Sequence, residues 1–210
     1  MNETVPARVT SWIGSAVAAA GEAHFEFVAP QANCAAFHID ETSEALIADA
    51  VTGAHAAYLK YRRSTRAQRA DLLRLLADTL QAHAAAFAEM ICDDVGKPLR
   101  VAKFEAGRGA AFAHACAASV LQLGGEVVPL DAVANGADHF GFTKHVPYGV
   151  VAAITPFNAP INLLVQKLAP ALAAGNAVVA KPAPAGIRVA VALAKALVEA
   201  GFPSGLFNVV

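Results

Sequence analysis

The last third of the chain carries the clearest hydrophobic pattern. GVVAAIT (Gly149–Thr155) is apolar at almost every position, and NAVVAK (Asn176–Lys181) and GLFNVV (Gly205–Val210) repeat that character. Between them lie PINLLVQKLAPALAAG and AGIRVAVALAKALVEAG, where apolar residues recur at helical spacing and a glycine closes each segment. The first of these helices carries Pro170, where a kink or an interruption is expected. Strands apolar on both faces must be covered on both faces. Their alternation with helices therefore predicts an α/β fold with a parallel sheet flanked by helices. Right-handed crossovers would set the three strands side by side.

Upstream the pattern is helical from Ser43, with Leu46, Ala50, Ala54, Ala57 and Tyr61 at helical spacing. STRAQ (Ser64–Gln68) interrupts it, and Thr65 with Gln68 fits a capping box that opens the next helix. That helix places Leu72, Leu73, Leu76, Leu80, Phe87 and Ile91 on one face and is expected to run unbroken to Gly96. Pro98 can open a further helix through Phe104, Ala111 and Cys116 to Leu123. The first 40 residues are loosely patterned, but HFEFVAP (His24–Pro30) and CAAFHI (Cys34–Ile39) suit a pair of short strands. Partial alternation in Glu126–Leu130 and His139–Val146, around a turn with Asn135 and Gly136, predicts a protruding β-hairpin. His139 and His145 then read as solvent-facing strand residues.

Composition narrows the class. With 56% apolar residues in 210, disorder is excluded. The longest uncharged run, Gly149–Gln166, holds two prolines, Thr155, Asn158 and Asn162, which argues against a bilayer span. The apolar run Trp12–Gly21 follows Glu3 and a single arginine, so a secretory signal is not expected. A net charge of −1 gives no electrostatic case for nucleic acid, and the basic KYRRSTRAQR (Lys60–Arg69) reads as a solvated helix junction. Cys34, Cys92 and Cys116 form an odd set without CxxC spacing, and the seven histidines show no HExxH motif. Packing thiols, a reducing and cytoplasmic setting, and no metal are the expectations.

One stretch breaks the apolar run. ITPFNAP (Ile154–Pro160) sets Asn158 between Pro156 and Pro160, in a segment too stiff to continue either strand or helix. Such a loop is a structural corner or a holder for its amide, and an amide there could also cap the following helix. Ligands in open parallel sheets bind beyond the carboxyl ends of the strands. Asn158 follows the first strand of this region and Lys181 ends the second, so both are expected at that edge.

At PYGVVAAITPFNAP, KLAPALAAGNAVVAKP and EAGFPSGLFNVV the sequence resembles the aldehyde dehydrogenase superfamily. RAQRADLLRLLADTL, DDVGKP and GGEVVPLD extend the resemblance over roughly residues 25 to 210. It implies a Rossmann-like cofactor-binding domain, incomplete in these residues, with residues 1–123 as its N-terminal strands and helices. Residues 124–146 would form an oligomerisation-type hairpin, and residues 147–210 a βαβαβ unit. It also implies NAD or NADP as cofactor, a small aldehyde substrate, and a homo-oligomer, dimer or tetramer. In that chemistry a cysteine thiolate attacks the aldehyde, hydride leaves to the nicotinamide, and a glutamate activates the water that releases the acid.

Asn158 matches the family's oxyanion donor, and Lys181 the lysine that bonds the adenosine ribose. Ile154, Thr155, Pro156 and Phe157 match the strand end lining the cofactor cleft. After Ala183, Pro184 stands where many NAD-preferring members carry an acid, which leaves NAD versus NADP open. The resemblance stops at Val210, before the family's nucleophilic cysteine and its glutamate, so the 210 residues alone are expected to be inactive. A shortened, non-catalytic nucleotide-binding or interaction module and a CoA-acylating relative are the alternative readings.

Overall fold

The computed structural model describes residues 7–19, 21, 23–30 and 36–210. Its loosely patterned N-terminus folds as strands. β1 (Ala7–Val9) lies parallel to β5 (Phe37–Asp40), whose other side pairs antiparallel with β4 (His24–Phe27). The β4–β5 pairing is the one expected, over shorter spans; Cys34 lies outside the described residues. Between β1 and β4, β2 (Trp12–Ile13) and β3 (Ala16–Val17) join the central sheet. Gly14, at φ +68°, turns the chain between them and donates its N–H to the Asn208 side chain at 2.8 Å.

That central sheet has the order β3-β2-β10-β9-β8, where β8 is Val150–Ile154, β9 is Ala177–Lys181 and β10 is Phe207–Val209. β8, β9 and β10 are mutually parallel and adjacent, as the apolar runs imply. The edge of β10 away from β9 is covered by β2, antiparallel through Val209 and Trp12. Trp12 is buried there, which relieves the edge-strand liability.

Helix α1 (Glu44–Tyr61) packs on the sheet with Ala50, Ala54 and Tyr58 inward. The capping box expected at Thr65 and Gln68 is present at the start of α2 (Arg66–Ala82). The helix predicted to run on to Gly96 instead breaks at His83, and α3 (Ala84–Val95) follows. No glycine or proline marks the break; packing does, because α3 buries Phe87 and Ile91 while lying against α4 (Leu99–Val120) and α6 (Ile187–Glu199). α5 (Pro160–Ala173) continues through Pro170 without interruption. α5 and α6 contact each other, as expected when two right-handed crossovers lie on the same face of the sheet.

A buried charge ties the helices together. Asp94, in the last turn of α3, accepts from Arg188 of α6 at 2.9 Å, and that guanidinium also lies over the Phe37 ring. Burial pushes the Asp94 carboxyl up to about 6, against the opposing pull of Arg188.

The excursion after α4 is less regular than predicted. Only Val127–Val128 (β6) and Gly141–Phe142 (β7) pair, and two 3₁₀ turns, Leu130–Ala132 and Ala134–Gly136, fill the space between. Pro129 has no N–H to continue the ladder, and a Cβ on Gly136 would stand 1.8 Å from the Leu130 carbonyl oxygen, so the tip folds back on itself. His139 and His145 are exposed, as expected, but lie outside the strands.

Candidate active-site edge

The strands β8 and β9 are in register with Ile154 opposite Lys181, so these two side chains share one face of the sheet. The lacing continues past the strand ends. Thr155 donates its N–H to the Lys181 carbonyl at 3.2 Å, and Ala183 donates to the Thr155 carbonyl at 3.1 Å. The ITPFNAP loop and the KPAP loop (Lys181–Pro184) are therefore bonded to one another at the carboxyl edge.

The residues expected at the site divide by exposure. Ile154, Pro156, Phe157, Asn158, Lys181 and Pro184 are exposed, and Ala183 is half-buried. Thr155 is buried, so it serves the edge through its backbone. A cavity of about 690 Å³ opens at this edge, floored by Val150, Ala152, Ile154 and Val179 and bounded by Lys181, Pro184 and Val210. Ile47 and Val51 of α1, Phe25 of β4, and Asp40 and Glu41 at the end of β5 also line it. Ile154, Lys181 and Pro184 are thus brought together in one cleft. Pro156, Phe157, Asn158 and Ala183 do not line it; they belong to the two loops that follow its strands.

Asn158 does not cap α5. The N-cap residue is Ala159, whose side chain makes no capping bond, and Pro160 follows at the first helical position. The free N–H groups of the first turn go instead to Glu105 of α4, whose Oε1 accepts from Ile161 at 3.1 Å and from Asn162 at 3.4 Å. Glu105 is buried, and its other carboxylate oxygen is paired with Lys97. Sequence reasoning missed this pair. The signal was available: Glu105 falls in the stripe of Ala102, Ala106, Gly109 and Ala113 that α4 buries, where an acid needs a reason.

Two other expectations resolve here. Burial pushes the Cys116 thiol up, away from the thiolate, and Cys92 is half-buried in α3, so both suit packing roles. Within KYRRSTRAQR, Arg69 departs from a solvated reading. Its guanidinium donates to Ser64 Oγ and to the carbonyls of Arg62 and Ala173. Among the described residues, no group of three or more His, Cys, Asp or Glu is placed to hold a metal, and no helix is long and apolar enough to cross a membrane.

The model of the aldehyde dehydrogenase family matches residues 17–210. Among curated relatives, 3-sulfolactaldehyde dehydrogenase of Priestia aryabhattai is 43% identical over 142 residues, 68% of this chain and 30% of that protein. Among solved structures, the NADP-dependent glyceraldehyde-3-phosphate dehydrogenase of Bacillus halodurans C-125, complexed with NADP, aligns with a TM-score of 0.90 at 32% identity. That alignment covers 97% of this chain and 43% of the other. An NAD-dependent aldehyde dehydrogenase from Sinorhizobium meliloti aligns with a TM-score of 0.88 at 28% identity, over 100% and 42% of the two chains. The chain therefore spans about a third of the length of the curated relative above. With its α/β sheet, its laced strand-end loops and a family match over nearly all its length, this chain belongs to the aldehyde dehydrogenase family.

Proposed function

We propose that the chain is the N-terminal part of an NAD(P)-dependent aldehyde dehydrogenase, in which Asn158 donates its side-chain N–H to the oxygen of the tetrahedral thiohemiacetal. The observation that carries this reading is the exposed Asn158 amide, spared from helix capping, in a loop bonded to the Lys181 loop at the carboxyl edge of a parallel sheet. An amide suits the task. It donates a hydrogen bond without bringing a charge, and a donor already fixed in place need not reorganise as negative charge develops.

The cleft suits a nicotinamide dinucleotide. Its apolar floor of Ile154 and Val179 can take the flat face of a ring, and the Lys181 ammonium at its rim can donate to ribose hydroxyls. When bound, that cofactor supplies the hydride acceptor for aldehyde oxidation. Pro184 at the rim neither holds ribose hydroxyls nor repels a 2′-phosphate, which leaves the choice between NAD and NADP open. The exposed Val127, Phe140, Phe142, Val146 and Tyr148 around the short hairpin support a homo-oligomer built through this excursion. An odd set of cysteines without CxxC spacing supports a cytoplasmic setting.

The test is steady-state oxidation of a panel of small aldehydes by the complete enzyme with NAD and with NADP, read as reduced-cofactor absorbance. Turnover in the wild type that falls about 10²-fold in Asn158→Ala is the expected result. An enzyme that oxidises none of the panel with either cofactor refutes the reading.

A further inference from the structure

We infer that Glu105 is a positioning residue for Asn158, a role that rests on the reading of Asn158 as the oxyanion donor. The start of α5 has no cap of its own, because Ala159 offers no side-chain acceptor and Pro160 no N–H. Glu105, reaching across from α4, accepts both Ile161 and Asn162 N–H groups with one oxygen, and its charge complements the positive end of the helix. Lys97, from the turn before α4, holds the other oxygen.

A buried ion pair is a costly way to fill space, and an apolar pair of similar volume would pack as well. What an apolar pair could not do is bind the two N–H groups. The loop is thereby held at both ends. Upstream, Thr155 is laced to Lys181 and Ala183. Downstream, Glu105 holds the first turn of α5, which begins two residues after Asn158. Pro156 stiffens what remains, leaving Phe157 to Ala159 to carry any displacement of the helix start. A shift of about 1 Å in a group that must meet a developing charge costs roughly 10²-fold in rate. Release of the helix start should therefore weaken catalysis and spare the cofactor cleft, whose strand-end lacing Glu105 does not touch.

The experiment compares two double variants of the complete enzyme. Glu105→Gln with Lys97→Met keeps an oxygen acceptor for α5 and removes the cation left without its partner. Glu105→Leu with Lys97→Met keeps the volume and removes the acceptor. The first is expected within about threefold of wild-type kcat. The second should lose about tenfold or more in kcat while the KM for cofactor stays within about twofold. Backbone amide exchange at Ile161 and Asn162 should quicken in the second alone.

Wild-type kcat in the leucine variant overturns the proposal, and so does an equal fall in kcat in both variants. Should the leucine variant not fold, Glu105→Asp keeps the ion pair while drawing the acceptor back. Unchanged kcat in that variant overturns the proposal as well. Asn158→Ala, run alongside, separates the two claims. Normal turnover there removes the oxyanion reading, whereas its loss combined with normal turnover in the Glu105 variants removes only the positioning role.

Discussion

Gly186 and Pro160 stand so close that a Cβ on the glycine would lie 2.8 Å from the proline Cβ. Gly186 opens α6 after the KPAP loop, and Pro160 opens α5 after the ITPFNAP loop. The two loops that carry the candidate site are thus seated on one another at their helix ends, as well as laced at their strand ends. Gly186→Ala forces them apart against a rigid ring. We expect a loss of about 1–3 kcal/mol in urea unfolding. Unchanged stability would mean that the loops shift freely and that this contact does not hold the edge together.

Asn158→Ala should leave cofactor affinity and the unfolding midpoint near wild type, since the amide caps nothing and lies exposed. The loss of about 10²-fold should fall on kcat/KM for aldehyde. On the proposed reading Asn158→Asp should be at least as harmful, because it would set negative charge where the oxyanion forms. Turnover close to wild type in either variant would return ITPFNAP to the standing of a structural corner.

Pro184 borders the cleft beside Lys181. If the proposed cofactor occupies that cleft, Pro184→Glu introduces a carboxylate placed to accept from ribose hydroxyls and repel a 2′-phosphate. The ratio of kcat/KM for NADP to that for NAD should fall by at least about tenfold, measured with one aldehyde at saturating concentration. An unaltered ratio would show that this position does not face the adenosine half of the cofactor.

Asp94 makes a pH prediction whose sign follows from its environment. Burial raises its carboxyl from 3.8 to about 6, so the folded protein holds this proton more tightly than the unfolded chain between those values. Its contribution to stability is present at the acidic end, falls as pH rises through about 6, and is level above. Asp94→Asn cannot ionise. Its melting temperature relative to wild type should therefore climb between pH 4 and 6.5 and then stay constant, apart from a fixed offset for the altered Arg188 contact. A difference that is flat with pH refutes the assignment.

Cys116 is held as a thiol by burial in α4, and a thiol is a poor nucleophile. Cys116→Ala should leave turnover of the complete enzyme within about twofold. Residues 1 to 210 alone should produce no reduced cofactor with any aldehyde in the panel. Turnover by the isolated residues that vanishes when Cys116 or Cys92 is replaced would make one of these thiols the nucleophile.

The local periodicities determined the core of this fold. Strands apolar on both faces, each followed by an amphipathic helix, leave one economical arrangement, and β8, β9 and β10 lie side by side as that argument requires. The same argument put Asn158 and Lys181 at one edge, because strand direction alone decides which ends meet. What pattern could not reach were relationships between distant segments. Trp12 closes the edge of β10 across nearly the whole chain, and a two-residue strand has no periodicity to read. The break at His83 is set by what α3 packs against, since its residues would sustain a helix. Glu105 could be seen as an acid in a buried stripe, but only the crossing of α4 past the start of α5 brings its carboxylate to two unpaired N–H groups. Periodicity depends on neighbours a few residues apart, and these bonds join residues whose proximity exists only once the helices have packed.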